Sequence, residues 1–263
     1  MSKPVVLPLK SVRNPRDLGG YIGFNGRKIK AHRLLRSGNI SQITAADQRF
    51  LLDYGLTKII DLRSPAECKA NQDRDLPGVT HYEFPLSVED NTGGHGLDMS
   101  KEFAKYRRDQ YAGFDMMCRR YREHINNKQA QRSIHQIVSV VADTADGAVL
   151  YHCSEGKDRT GLVTVVLLYI LGVDLEVIRQ DYLYSNYMLN NYRHVRDEKF
   201  KAAGENDKFR ANMRILGSVA NAFFDTSLIT INDNFGGIDS YISNQLDINA
   251  EMQEMMREKY LED

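Results

Sequence analysis

The segment YHCSEGKDRTG at residues 151–161 contains the pattern that decides the fold. The apolar residues 148–152 follow an Asp-Gly turn and predict a buried strand. The mostly apolar run of twelve residues from Leu162 to Val173 predicts a buried helix, which Thr160 would open. The segment therefore joins a strand to a helix through a short loop that contains a glycine.

This loop has the composition of an anion-binding site. A chain that passes from a strand into a helix directs backbone N–H groups and the positive end of the helix dipole at one spot. A phosphate dianion fits there, and the same field would stabilise a thiolate at Cys153. Thr160 is expected to cap the helix and to hydrogen-bond the Cys153 sulfur. The planar guanidinium of Arg159 can hold two phosphoryl oxygens together. The predicted phosphate-binding residues are Ser154, Glu155, Gly156, Lys157, Asp158, Arg159 and Thr160.

Three other interpretations account for parts of the loop. A nucleotide-binding GxxxxGK[ST] loop needs Gly at 151 and Ser or Thr at 158, where this chain has Tyr151 and Asp158. A rhodanese-like sulfur transferase also uses a cysteine loop, but with one residue fewer. A binding module without catalysis would typically have lost Cys153 or Arg159. Cys-x5-Arg followed by Thr-Gly instead favours a phosphatase in which Cys153 is the nucleophile and forms a phosphocysteine intermediate.

Hydrolysis also needs a proton donor for the leaving oxygen. Asp158 lies inside the loop beside Arg159, which places it near the phosphate. Asp90 follows the predicted strand at 79–84, in a glycine-rich segment at 89–98 that is expected to form a mobile loop. Asp158 is the first candidate for the general acid and Asp90 the second.

Strands and helices alternate along much of the chain. Apolar runs at 57–62, 79–84 and 148–152 predict strands, whereas 44–54 and 134–142 have helical spacing. The prediction is an α/β fold with a mostly parallel central sheet of about four or five strands, flanked by helices on both sides.

Further elements are expected around this sheet. Asn25-Gly26 indicates a hairpin, and residues 101–126 have helical spacing. Residues 174–225 form a predicted helical subdomain after the catalytic helix, and 245–260 a terminal helix. We expect one catalytic domain over residues 1–263, in which 186–225 form a helical lid or a packing subdomain.

Composition excludes several classes of protein. With 35 basic and 35 acidic residues the net charge is zero, which gives no argument for a nucleic acid as partner. The three cysteines contain no CxxC pair and argue against a disulfide framework or a structural zinc site. No metal or cofactor is expected, since the loop supplies the positive field. The N-terminus lacks a signal-peptide core and no apolar run is long enough to form a transmembrane segment, so we expect a cytoplasmic or secreted protein.

Motifs along the chain resemble one known family. Residues 152–161 resemble the HCxxGKDRTG loop of the bacterial protein tyrosine phosphatase family, of the type of the mycobacterial secreted phosphatase B and the listerial lipid phosphatase. Individually weaker matches are NPRDLGG at 14–20, LRS at 35–37, DLRS at 61–64, Tyr106 with Tyr111, DYLYSN at 181–186 and FGGIDSY at 235–241. Together they extend from about residue 12 to residue 242, nearly the whole chain.

The resemblance implies hydrolysis of phosphotyrosine proteins or peptides, with inorganic phosphate as product. It also implies phosphoserine, phosphothreonine and phosphoinositide lipids as further substrates, with phosphoinositides as the main substrate in the alternative interpretation. The family's proposed general acid is the loop aspartate, which corresponds to Asp158. Some members carry another Asp directly after a Phe-Pro pair, where this chain has Leu86. The residues expected to support the site are Arg16, Asp61, Arg63 and Asp90.

Overall fold

The computed structural model describes residues 4–87 and 99–263. Eight strands occur in these residues: β1 (Val5–Val6), β2 (Arg16–Asp17), β3 (Lys28–Ile29), β4 (Leu34–Ser37), β5 (Leu56–Asp61), β6 (Thr80–Glu83), β7 (Ala148–His152) and β8 (Leu261–Glu262). The α-helices of the same residues are α1 (Ala45–Asp53), α2 (Pro65–Ala70), α3 (Met99–Arg108), α4 (Ala112–Asn126), α5 (Lys128–Asp143), α6 (Asp158–Ile170), α7 (Leu175–Met188), α8 (Asn190–Ala202), α9 (Asp207–Leu216), α10 (Asn221–Phe235), α11 (Ile238–Ser240) and α12 (Ala250–Tyr260). Among the described helices, none combines the length and apolarity needed to cross a membrane.

The main sheet has six strands in the order β1-β2-β4-β7-β5-β6. The last four are parallel to one another, whereas β1 and β2 add to one edge in antiparallel orientation. The predicted α/β fold with a mostly parallel sheet is confirmed. The sheet is one strand larger than the expected upper limit, because β1 and β2 have two residues each and are too short to produce an alternating pattern.

Helices cover both faces of this sheet, as alternate residues of β7 demonstrate. Val149 and Tyr151 belong to the large core, in which α5, α6, α10 and α12 pack. Ala148 and Leu150 point to the opposite face and pack in a smaller cluster that includes Leu51 of α1. Successive side chains of a strand point to opposite faces, so a strand covered on both sides is apolar throughout.

One predicted helix is divided in the structure. The segment 101–126 forms α3 and α4, separated by three residues. Asp109 Oδ1 accepts a hydrogen bond from the Tyr111 amide at 2.9 Å, which replaces the helical pattern by a local turn. Asn212 of α9 binds both sides of this break, because its Nδ2 donates to the Tyr106 carbonyl at 3.0 Å and its Oδ1 accepts from the Gly113 amide at 2.7 Å. Helical spacing alone gives no sign of this turn.

The other predicted elements are present with small changes of boundary. The Asn25-Gly26 turn joins Ile22 and Lys28 through an antiparallel bridge. The predicted helix at 44–54 is α1, for which the Thr44 side chain is the N-cap. The predicted helical region at 174–225 contains α7, α8, α9 and the start of α10, which continues to Phe235, and the terminal helix is the shorter α12.

The carboxyl ends of the three central strands meet at one edge of the sheet. His152, the last residue of β7, is in register with Ser37 of β4 on one side and Asp61 of β5 on the other. The chain segments that follow these strands therefore begin side by side. In open α/β sheets, this edge is where ligands bind.

Candidate active site

The segment between β7 and α6 is held on its sheet side by hydrogen bonds from side chains of the neighbouring strands and loops. The Gly156 carbonyl accepts hydrogen bonds from Asn14 Nδ2 at 2.7 Å and Arg36 Nη2 at 2.9 Å. The Ser154 carbonyl accepts from Asn39 Nδ2 at 3.1 Å. The described residues provide no acceptor for the amides of 154–157. With its carbonyls held toward the sheet, the loop has its N–H groups available for an anion.

Gly156 has a positive φ of +67°. A Cβ at this position would lie 2.3 Å from the carbonyl carbon and oxygen of Ser37. The close contact between loop and β4 therefore requires glycine, for both conformational and steric reasons.

Cys153 is 2% exposed and lies at the bottom of a cleft of about 420 Å³. The cleft is also lined by Ser154, Glu155, Lys157, Asp158 and Arg159, so most of the predicted loop residues face one space. α6 begins at Asp158, which aims the positive end of its dipole at the same space. These features provide a cysteine with a buried, electropositive surrounding.

Thr160 does not have the predicted position at the start of the helix. The helix begins two residues before it, so Thr160 lies inside the first turn and is fully buried. Its Oγ1 has no hydrogen-bond partner among the described residues, and the predicted bond to the Cys153 sulfur is therefore not found there. The N-cap position belongs to Lys157, which makes no side-chain capping bond.

Arg159 is held by a carboxylate that the sequence interpretation missed. Its Nη1 donates to Glu67 Oε2 at 2.6 Å and its Nη2 to Glu67 Oε1 at 2.8 Å. Burial alone would raise the pKa of Glu67, but the Arg159 guanidinium holds it well below its usual range. This end-on pairing uses the two Nη atoms, of which Nη2 also donates to Ser154 Oγ at 3.2 Å, whereas Nε makes no hydrogen bond with the described residues. A guanidinium fixed in this way can present its other edge to an oxyanion.

Asp158 is held on both of its oxygens. Tyr121 of α4 donates its hydroxyl to Oδ1 at 2.6 Å, and Lys157 Nζ lies 2.9 Å from Oδ2. Burial would lower the pKa of Lys157, but the carboxylates of Asp158 and Glu155 raise it above its ordinary value. Lys157 also donates to the Leu216 carbonyl of α9 at 2.6 Å. The ammonium therefore connects the loop to the helices that cover it.

Arg16 supports the loop from below and does not line the cleft. Asp181 of α7 lies between two buried arginines, 3.1 Å from Arg16 Nε and 2.6 Å from Arg36 Nη1. Arg16 also bonds Asn14, the residue that holds the Gly156 carbonyl. Burial raises the pKa of Asp181, but the two guanidiniums outweigh it and hold the pKa below the ordinary value. Arg16 is thus connected to the loop through two successive hydrogen bonds, with Asn14 between them.

Asp61 and Arg63 form a second buried network beside the first. Arg63 Nη2 lies 2.6 Å from Asp61 Oδ2 and 2.9 Å from Asp73 Oδ2, and His152 Nε2 also lies 2.9 Å from Asp73 Oδ2. Burial would lower the pKa of His152, but Asp61 and Asp73 raise it. Arg63 alone of the Asp61–Arg63 pair borders the cleft.

This network also contains the donor set of a metal site. Ligand atoms of Asp61, Asp73, His81 and His152 lie within 4.8 Å of one another. The guanidinium of Arg63 already lies against both carboxylates, and a divalent cation would be repelled by it. The geometry therefore fits an ion-pair network better than a metal centre.

A sequence profile of the tyrosine phosphatase family matches residues 7–262. The chain belongs to the tyrosine phosphatase family. It is a cysteine-dependent protein-tyrosine phosphatase, and the reaction predicted from the Cys-x5-Arg loop is confirmed.

Named relatives of this phosphatase span most of its length. A Cupriavidus necator protein assigned by name to the tyrosine-protein phosphatases is 28% identical over 255 residues, which cover 93% of this chain and 85% of the relative. The triple specificity protein phosphatase PtpB of Mycobacterium tuberculosis is 28% identical over 263 residues, covering 86% and 92%. The crystal structure of a cysteine-to-serine variant of P. aeruginosa TpbA with pTyr covers 78% of this chain and 90% of TpbA, at 13% identity and a TM-score of 0.30.

The cleft of the phosphatase is completed by residues that no motif indicated. Arg120, Tyr121 and His124 of α4 line one wall. Tyr192 and Arg196 of α8 line another, within the segment 186–225. Helical spacing predicted that these residues are in helices but not which side of the helix faces the loop, because that depends on how the helices pack.

Glu67 is the one missed residue for which a sequence signal exists. Ser64 and Glu67 form a capping box at the start of α2, in which the Ser64 side chain accepts from the Glu67 amide and Glu67 accepts from the Ser64 amide. The motif DLRS at 61–64 ends at this cap. Asp90, the second candidate for the general acid, lies outside the described residues.

Proposed function

We propose that Cys153, Asp158 and Arg159 carry the two steps of phosphotyrosine hydrolysis. The Cys153 thiolate attacks phosphorus, forming the S–P bond as the P–O bond to the tyrosine breaks, and Asp158 gives its proton to the leaving oxygen. Water then attacks the phosphocysteine, Asp158 takes a proton from it, and the thiolate leaves with release of inorganic phosphate. The observation that carries this proposal is that all three side chains line one cleft, formed by a loop whose carbonyls are held toward the sheet and away from the cleft.

Charge in this scheme is balanced by the protein. The equatorial phosphoryl oxygens would be held by the loop amides and by the Nε edge of Arg159. Lys157, whose ammonium is buried beside Asp158, adds positive charge at the edge of the same site. No step requires a metal ion, and we expect activity to be unchanged by EDTA.

Replacing Asp158 by Asn tests the assignment of the acid. For phenyl phosphate, whose leaving oxygen needs a proton, kcat should fall by about 10²–10³-fold. For p-nitrophenyl phosphate, whose leaving group is far less basic, the fall should be much smaller. Steady-state rates over a series of aryl phosphates measure this dependence on the leaving group.

The matched control is Glu155→Gln, which removes the neighbouring carboxylate of the same loop. We expect this variant to change kcat by a similar factor for every aryl phosphate. An Asp158→Asn variant with the same uniform behaviour would contradict the role of Asp158 and leave the acid to be sought elsewhere, Asp90 first.

We further propose that phosphoserine, phosphothreonine and phosphoinositide esters are also substrates. One relative is named a triple specificity phosphatase, and the cleft here has cations in addition to Arg159. Arg120 lines it, and its guanidinium makes no hydrogen bond or ion pair with the described residues. A half-buried guanidinium of this kind favours a substrate that brings a second negative charge.

The measurement is a set of initial rates on phosphotyrosine, phosphoserine and phosphothreonine peptides and on short-chain phosphoinositides. Arg120→Ala should lower kcat/KM for a phosphoinositide bisphosphate about tenfold more than for p-nitrophenyl phosphate. Arg122→Ala, which removes an exposed arginine of the same helix outside the cleft, is the control. Equal losses on both substrates in Arg120→Ala would contradict a role in recognising a second charge.

A further inference from the structure

A chain of two tyrosine hydroxyls ends on Asp158. Tyr121 of α4 donates to Asp158 Oδ1 at 2.6 Å, and the Tyr121 and Tyr182 hydroxyl oxygens are 2.7 Å apart. A phenol has one hydrogen to donate. Because Tyr121 donates its hydrogen to Asp158, Tyr182 of α7 must donate to Tyr121. The polarity of the chain is therefore fixed from Tyr182 to Asp158.

Close packing leaves these rings little freedom. Tyr121 and Tyr182 are 6% and 2% exposed and meet edge to face. The ring of Tyr121 also packs on Phe223 of α10, at 5.5 Å between centroids. A Cβ on Gly161 would lie 3.0 Å from the Tyr182 ring, so the glycine of the loop motif gives Tyr182 its place against α6. The hydroxyl of Tyr121 is thus aimed by packing and not only by its hydrogen bond.

We propose that Tyr121 is a positioning residue for Asp158, which keeps Oδ1 as an acceptor and so directs the catalytic proton to Oδ2. This inference rests on the proposed role of Asp158 as general acid. A proton on Oδ1 would require both tyrosine hydroxyls to reverse their direction. A proton on Oδ2 requires only that the contact from Lys157 be released, and Lys157 retains the Leu216 carbonyl and Glu155 as partners.

Several other charged and titratable groups surround Asp158. They are Lys157 and Glu155 in the loop, Arg159 in α6, Arg120 and His124 in α4, and Tyr182 through Tyr121. Burial lowers the pKa of His124 to about 4, and the nearby Arg159 acts in the same direction. Burial and Asp158 raise the pKa of Tyr121 well above its ordinary value. Neither group is expected to change its charge near neutral pH.

The test compares Tyr121→Phe with Asp158→Asn over the aryl phosphate series and over pH. Tyr121→Phe should lower kcat about tenfold for phenyl phosphate and much less for p-nitrophenyl phosphate, with KM little changed. The falling limb of the pH–rate profile should move to higher pH, because the variant lacks the hydroxyl that donates to the Asp158 carboxylate. Tyr169→Phe removes a phenol–carboxylate bond to Asp239 outside the cleft and should leave the profile unchanged.

The outcomes separate this inference from the function on which it rests. A uniform loss across the series with an unmoved limb in Tyr121→Phe, while Asp158→Asn remains sensitive to the leaving group, would overturn the role of Tyr121 alone. Insensitivity of Asp158→Asn to the leaving group would overturn the acid assignment and this inference with it. Circular dichroism and thermal unfolding of Tyr121→Phe establish that the comparison is made on folded protein.

Discussion

Cys153→Ser is expected to lower turnover of p-nitrophenyl phosphate by about 10⁴-fold or more. A serine hydroxyl is almost entirely un-ionised at neutral pH, and the loop has a proton donor but no base positioned to activate it. The cleft itself should persist, because the loop is held by its carbonyls through Asn14, Arg36 and Asn39 and not by the cysteine sulfur. The variant should therefore still bind phosphate or vanadate.

The control for this substitution is Cys118→Ser, which changes a partly buried cysteine of α4 outside the cleft. We expect it to retain activity within about twofold. Initial rates, and calorimetric titration of Cys153→Ser with orthophosphate, separate loss of the nucleophile from loss of the site. Near-normal turnover by Cys153→Ser would contradict the phosphocysteine scheme.

Glu67→Gln should have the second largest effect and should act on both catalysis and stability. Removing the charge breaks a buried bidentate pair and leaves Arg159 without its counter-ion, which typically costs about 3–5 kcal/mol. The guanidinium is then held less firmly, with Ser154 Oγ as a remaining acceptor for Nη2, and loss of its alignment with the phosphoryl oxygens should lower kcat/KM about 10²-fold. Urea unfolding and steady-state kinetics measure the two effects, and Glu258→Gln on the exposed side of α12 is the control.

The stability that the Glu67–Arg159 pair contributes depends on pH, in a direction set by the lowered pKa of Glu67. The pKa of Glu67 is lower in the folded protein than its ordinary value of 4.5 in an unfolded chain. The pair therefore contributes its full stability above the unfolded pKa, and this contribution is lost as pH falls through the folded pKa. Below about pH 4.5 the stabilities of the original protein and Glu67→Gln should converge. A constant difference down to pH 3 would contradict this account.

Local sequence signals were sufficient to place the loop. Residues 151–161 combine a buried strand, a glycine and a buried helix, and each of these signals lies within a few residues of Cys153. The same locality explains why Arg63 was found, since it follows directly on a buried strand. Neither inference required knowledge of how distant segments meet.

The remainder of the site depends on packing between segments far apart in sequence. Glu67 reaches Arg159 across 92 residues, and Tyr121 reaches Asp158 across 37. Helical periodicity identifies an apolar face but not the partner of a single polar residue on the other side. The break between α3 and α4 was missed for a similar reason, because the Asn212 side chain that stabilises it comes from α9.

The buried ion pairs of Asp181 with Arg16 and Arg36 limit which substitutions related sequences can accept at these positions. The three residues come from α7, β2 and β4, and all are nearly inaccessible to water. Losing Asp181 leaves two buried guanidiniums without their shared counter-ion, so a viable substitution of Asp181 demands simultaneous changes at both arginines. We therefore expect Asp181 to change only together with its two arginines, which makes this position a reference point for aligning distant sequences whose loops and lengths differ.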